Sequence, residues 1–123
     1  MNKRDSNKEK IEPHYSPAIV HSNMIYISGQ LPLLKGDKKP QSDEIKDQTK
    51  IVLNKLKEIL VNNNSSIDRV LKVTIYVSDI SYWDDINEVY AEFFGNHKPA
   101  RTIVPTKILH YNCLIELDAI AYI

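Results

Sequence analysis

The 123-residue sequence predicts a single α+β domain, a mixed β-sheet with two helices packed on one of its faces. Three observations predict it. Two stretches repeat apolar residues at spacings of three and four, the period of an amphipathic helix. Shorter stretches alternate apolar and polar residues or run in β-branched types, as strands do. Their order is ββ-α-β-α-ββ, and two helices suffice to cover one face of such a sheet.

Each element has its own justification. Ala18-Ile19-Val20 and Met24-Ile25-Tyr26-Ile27-Ser28 read as strands, and His21-Ser22-Asn23 supplies the turn of a hairpin. Gly29 is expected to break the second strand, and Pro32 to prevent its continuation. Lys35 to Pro40 is a surface loop. Asp43 to about Asn62 reads as a helix through Ile45, Thr49, Val52, Leu53, Leu56, Ile59 and Leu60, with Ser42 or Asp43 as its expected cap. Val70 to Val77 is a β-branched, alternating strand. Tyr82 to Phe94 reads as the second helix, with Tyr82, Ile86, Val89, Tyr90 and Phe93 as its stripe and Ser81 and Asp84 as a capping-box-like pair. Thr102-Ile103-Val104 and Leu114 to Tyr122 close the sheet.

Alternation assigns faces. Leu71, Val73, Ile75 and Val77 form one side of the middle strand, and Ile115, Leu117, Ala119 and Ala121 one side of the last. These sides are expected against the helices. The opposite sides carry Lys72, Thr74 and Tyr76, and Glu116, Asp118, Ile120 and Tyr122. That face is too mixed for a core and too aromatic for a simply solvated surface, which points to oligomerisation. Arg101 fits either face by pattern alone.

Composition bounds the function. Sixteen Lys and Arg balance sixteen Asp and Glu, so there is no basic surplus to grip nucleic acid. No apolar run approaches the roughly 20 residues of a membrane span. The first ten residues have no apolar core of a signal peptide. Residues 1–12 are expected to be a flexible polar leader and 13–123 a single domain. One cysteine, Cys113, makes no internal disulfide, and a cytoplasmic location is the expectation.

The chemistry gathers near the C-terminus. A guanidinium fork binds a carboxylate bidentately, and Arg101 has two candidate partners: Glu116 or Asp118 in a structural salt bridge, or a substrate. Glu116 and Asp118 share a strand face, as acid–base pairs or interface ion pairs do. Ser28-Gly29 at a strand end is a turn or an exposed hydroxyl beside open backbone. No nucleophile elbow, phosphate loop or dinucleotide fingerprint occurs. His14, His21, His97 and His110 lack metal-ligand spacing. Cys113 reads as a core residue, and Trp83 and Tyr90 as packing.

Five segments together resemble the RidA, or YjgF, family from about Tyr15 to Ala121: Asn23 to Pro32, Val73 to Asp79, Ile86 to Phe94, Pro99 to Thr102, and Ile115 to Ala121. The resemblance implies a chorismate-mutase-like fold in a homotrimer, its sheets forming an inner barrel with ligand clefts between subunits. It implies hydrolysis of reactive 2-imino acids, formed from enamines, to 2-keto acids and ammonia, without metal or cofactor. Pyridoxal-phosphate-dependent serine/threonine dehydratases are the typical source of such substrates. Arg101 matches the family arginine that binds the substrate carboxylate, and Glu116 the glutamate that places the attacking water. Tyr15, Ser28, Gly29 and Asn87 match pocket positions. Ile103, where some members have cysteine, is grouped with them. Asp118 replaces a second glutamate, and His110 a proline. Two other readings stay open from the resemblance: a non-catalytic small-molecule (2-keto acid) binding or regulatory trimer, and RNA cleavage or translational inhibition, which the neutral charge disfavours.

Overall fold

The computed structural model describes residues 11–123, so the expected leader falls largely outside the described residues. The chain forms β1 (Ala18–His21), β2 (Met24–Gln30), α1 (Ile45–Asn62), β3 (Val70–Val77), α2 (Trp83–Phe94), β4 (Ala100–Pro105) and β5 (Ile115–Tyr122), with short 3-10 turns between some of them. The strands lie in the order β1-β2-β5-β3-β4. Only β3 and β4 run parallel, and α2 is the crossover between them. β4 is therefore an edge strand.

Local chemistry explains the elements. Ser22 and Asn23 have φ of 50° and 64°, the doubly positive conformation of a two-residue hairpin turn. The face of α1 marked by its apolar spacing carries Val52, Leu53, Leu56 and Leu60, and α2 adds Ile86, Val89 and Phe94. They bury Ile25 and Ile27 of β2, Val73, Ile75 and Val77 of β3, and Ile115, Leu117, Ala119 and Ala121 of β5. Full burial of each large aliphatic side chain contributes about 1.5–3 kcal/mol, which makes this one-sided core the frame for everything mounted on it.

Several expectations need correction. Leu71 is 45% exposed, because the β3–β5 register shifts between Val70 and Lys72 and turns Val70 inward instead. β2 does not stop at Ser28. It continues to Gln30 through a second irregularity, for Ile27 pairs with Ala119 while Gln30 pairs with Leu117. Three steps on β2 thus match two on β5, and Ser28-Gly29 forms a bulge. The helix starts also differ. Ser42 Oγ accepts from Glu44 N–H at 3.0 Å and donates to Asp47 at 2.8 Å, but no side chain caps α1. Asp79, not Ser81, caps the turn before α2, accepting from Ser81 N–H at 2.9 Å. At the end of α2, Phe94 is the more deeply buried ring and Phe93 is half-buried.

Candidate functional site

The parallel register decides the face of Arg101. It pairs with Val73, whose side chain points into the core, so the guanidinium lies on the helix side of the sheet. There α2 receives it. Asn87 Oδ1 accepts from one guanidinium N–H at 3.0 Å. The charged plane sits 4.7 Å from the Tyr90 ring centroid and 5.3 Å from that of Trp83. Cation–π contacts of this kind contribute about 0.5–2 kcal/mol each and hold the fork flat. Trp83, Asn87 and Tyr90 stand at i, i+4 and i+7 on one helix face, so one turn spacing builds the cradle. The expectation that Trp83 and Tyr90 only pack is thus incomplete: both rings also carry the charge.

Around this cradle lies a cleft of about 460 Å³, lined by Arg101, Asn87, Tyr90, His97, Lys98 and Pro99 among others. Its rim is electropositive at Arg101 and Lys98. The Tyr90 hydroxyl beneath it is buried without a hydrogen-bond partner among the described residues. Burial pushes this phenol up to about 12, against the opposing pull of Arg101, so it stays protonated.

Glu116 occupies the other face. It pairs with Tyr76, between the inward-facing Ile115 and Leu117, and so projects from the open side. A second cleft, of about 310 Å³, surrounds it and is lined by Tyr15, Ser28, Gly29, Leu31 and His110. The β2 bulge brings the Gly29 backbone against the carboxylate. A Cβ on Gly29 would overlap Glu116 Oε2 and lie 3.2 Å from its Cδ. Any side chain here would have to push the end of Glu116 aside, so glycine leaves the carboxylate its space, and no unusual φ is involved. Ser28 Oγ donates to Ser16 O at 2.6 Å, which ties the segment carrying Tyr15 to the bulge.

Partial burial pushes the Glu116 carboxyl up, and the Asp118 charge adds to this while His110 opposes it. Asp118 lies along the same face and accepts from the Tyr76 hydroxyl at 3.3 Å. The two acids therefore differ: one is committed to a tyrosine, and the other faces a cleft.

The expected site residues fall into two groups. Arg101 and Asn87 meet on the helix side. Tyr15, Ser28, Gly29 and Glu116 meet on the open side. Ile103 lines neither cleft, since its half-buried side chain packs against the core. The salt bridge from Arg101 to Glu116 or Asp118 does not form within the chain, because the sheet separates them. Among the described residues the ion pair is instead Lys46–Glu88, between α1 and α2.

Comparison with known proteins identifies the family. The family model described as Endoribonuclease L-PSP matches residues 7–123. A RutC family protein of Pyrococcus horikoshii is 44% identical over 108 residues, 88% of this chain and 86% of its own. The chloroplastic Reactive Intermediate Deaminase A of Arabidopsis thaliana is 36% identical over 107 residues, 87% of this chain and 57% of its own. The crystal structure of E. coli TdcF with bound serine superposes with a TM-score of 0.83 at 29% identity, covering 93% of this chain and 91% of that one. The chain therefore belongs to the endoribonuclease L-PSP family, the RutC and RidA proteins, and has their chorismate-mutase-like fold.

Proposed function

We propose that this chain hydrolyses reactive 2-imino acids to 2-keto acids and ammonia. The observation that carries the reading is the Arg101 fork, held flat by two rings and Asn87 at the rim of an open cleft. Such a planar fork is suited to a carboxylate, and a charge-assisted bond of this kind contributes about 1.5–3 kcal/mol. The deaminase name of the Arabidopsis relative and the serine bound to TdcF support a small amino-acid-like ligand.

The chemistry asks little of the protein. A protonated imine is already electrophilic at C2. Water adds there, one of its protons moves to nitrogen, the C–N bond breaks to release ammonia, and the remaining hydroxyl proton passes to that ammonia. The products are the keto acid and ammonium, so atoms and charge balance without a redox partner. Arg101 would fix the carboxylate and hence C2. Glu116, its carboxyl raised by burial, would hold the water and move the proton. Tyr15, Ser28 and Gly29 would wall the water side.

Both halves act on one substrate only if Arg101 of one subunit faces Glu116 of another. The open sheet face supports this assembly. Tyr26 is 46% and Tyr122 40% exposed there, beside Thr74, Tyr76 and Ile120, an unusual surface to leave wet. A homotrimer with its clefts between subunits is the arrangement this reading requires.

The test generates a 2-imino acid in situ and follows keto acid release. The protein is expected to accelerate release, and Arg101→Ala to abolish the gain. No acceleration over buffer would overturn the enzymatic reading. Arg101-dependent binding of 2-keto acids without turnover would establish a binding trimer instead.

A further inference from the structure

Helix α1 reaches the Glu116 cleft from behind the sheet. Gln48 and Lys55 stand two turns apart on its inner side. Gln48 is 1% exposed. Its Oε1 accepts from Leu114 N–H at 2.8 Å, and its Nε2 donates to Ser42 O at 2.8 Å. It fixes the chain two residues before Glu116. Lys55 Nζ donates to Leu31 O at 2.7 Å and Leu33 O at 2.9 Å. It fixes the chain two residues after Gly29, and Leu31 itself lines the Glu116 cleft. One rigid helix thus holds both strands where the Gly29 backbone meets the Glu116 carboxylate.

A half-buried ammonium is a costly way to close a core. Loss of water pushes Lys55 down from its ordinary value, with Cys113 and Glu58 opposing. An apolar side chain would fill the space without that cost, but it would leave Leu33 O without its donor and Leu31 O with the Leu33 N–H alone, at 2.7 Å.

We infer that Lys55 is a positioning residue for Glu116: by tethering the Leu31–Leu33 segment to α1 it keeps the Gly29 backbone packed on the carboxylate and the carboxylate aimed into its cleft. This rests on reading Glu116 as the water-holding group, but the placement is measurable without turnover.

The experiment is a carboxyl-carbon NMR titration of Glu116 in the full chain, comparing wild type, Lys55→Met and Lys55→Arg. The other titratable groups around Glu116 are Asp118 on β5, Tyr76 on β3, His110 and Cys113 in the preceding loop, and Tyr15 across the cleft, and all stay unchanged. Lys55→Met is expected to admit water and move the Glu116 midpoint down by roughly half a pH unit. Lys55→Arg, which has donors for both carbonyls, is expected to restore most of the wild-type value. In the imine assay Lys55→Met is expected to lower kcat about tenfold while KM, set by Arg101 on the other face, holds. A lower melting temperature with an unmoved Glu116 midpoint would overturn the inference. If Lys55→Met fails to fold, Lys55→Gln, which keeps a donor for one carbonyl, decides in the same way against Lys55→Arg. If wild type gives no acceleration, the enzymatic reading falls, and the titration still decides the placement.

Discussion

The two faces of the sheet hold their charges by opposite means. On the helix side, Arg101 is supported on every flank the chain offers: two rings, an amide and a packed helix beneath. On the open side, Glu116 has little but a missing side chain, the space left by Gly29, and loses water with only His110 to offset the loss. The first arrangement is a well-supported cation, as the proposed carboxylate binding needs. The second is a carboxyl whose ionisation is made less favourable by burial, which suits the proposed acid–base role. Each lacks what the other has, and the sheet between them prevents one chain from joining the two.

The largest test of this contrast is Glu116→Gln, which keeps shape and removes the proton exchange. Turnover is expected to fall by about a hundredfold or more, while 2-keto acid binding through Arg101 persists. Its pH behaviour has a definite sign. The folded carboxyl lies above its ordinary value, so folding favours the protonated form. The ionised group therefore costs stability at pH above that raised value, and the cost disappears as pH falls below the ordinary carboxylate range. Glu116→Gln is expected to raise the melting temperature near neutral pH, with a gain that shrinks on acidification. The wild-type rate is expected to fall on an acidic limb centred above the ordinary carboxylate value, and the variant to lack that limb.

A smaller effect is expected from Gly29→Ala. The added Cβ displaces the flexible end of Glu116, not backbone, so folding is largely spared. The misplaced carboxylate is expected to lose about ten- to a hundredfold in kcat, with the melting temperature nearly unchanged. A stability loss with normal turnover would show the glycine to be merely structural. The smallest effect is expected on the other face. Tyr90→Phe keeps the ring under Arg101 and deletes a buried hydroxyl that has no partner among the described residues. Unfolding is expected to cost as much or up to about 1 kcal/mol more, as calorimetry would show. A clear destabilisation would mean that the hydroxyl has an acceptor.

The sequence made the frame legible because the core is built on period. Alternation on β5 and the three–four spacing on α1 named the buried residues directly. Leu71 escaped it because a one-residue register shift reverses alternation locally, and no residue type announces such a shift. The Ser28-Gly29 bulge was hidden for the same reason: glycine there read as a strand end. Arg101, Glu116, Asn87 and the glycine were legible through the family resemblance, but the face of Arg101 was not, since that depends on pairing with Val73 across a parallel crossover. Trp83 shared the helix face of Asn87 by spacing alone, a signal available but read only as packing. Lys55 and Gln48 carried no signal, because their partners are main-chain carbonyls and an amide distant in sequence.

The proposed activity requires that one working site take Arg101 from one subunit and Glu116 from another. Mixing settles it most directly. Arg101→Ala and Glu116→Gln chains, each expected to be nearly inactive alone, would be unfolded together, refolded and assayed for imine hydrolysis. In the proposed arrangement hybrid assemblies contain clefts with an intact Arg101 facing an intact Glu116, so a substantial fraction of wild-type activity is expected to return. A mixture as inactive as its parents, with hybrid assembly confirmed by mass spectrometry, would contradict it.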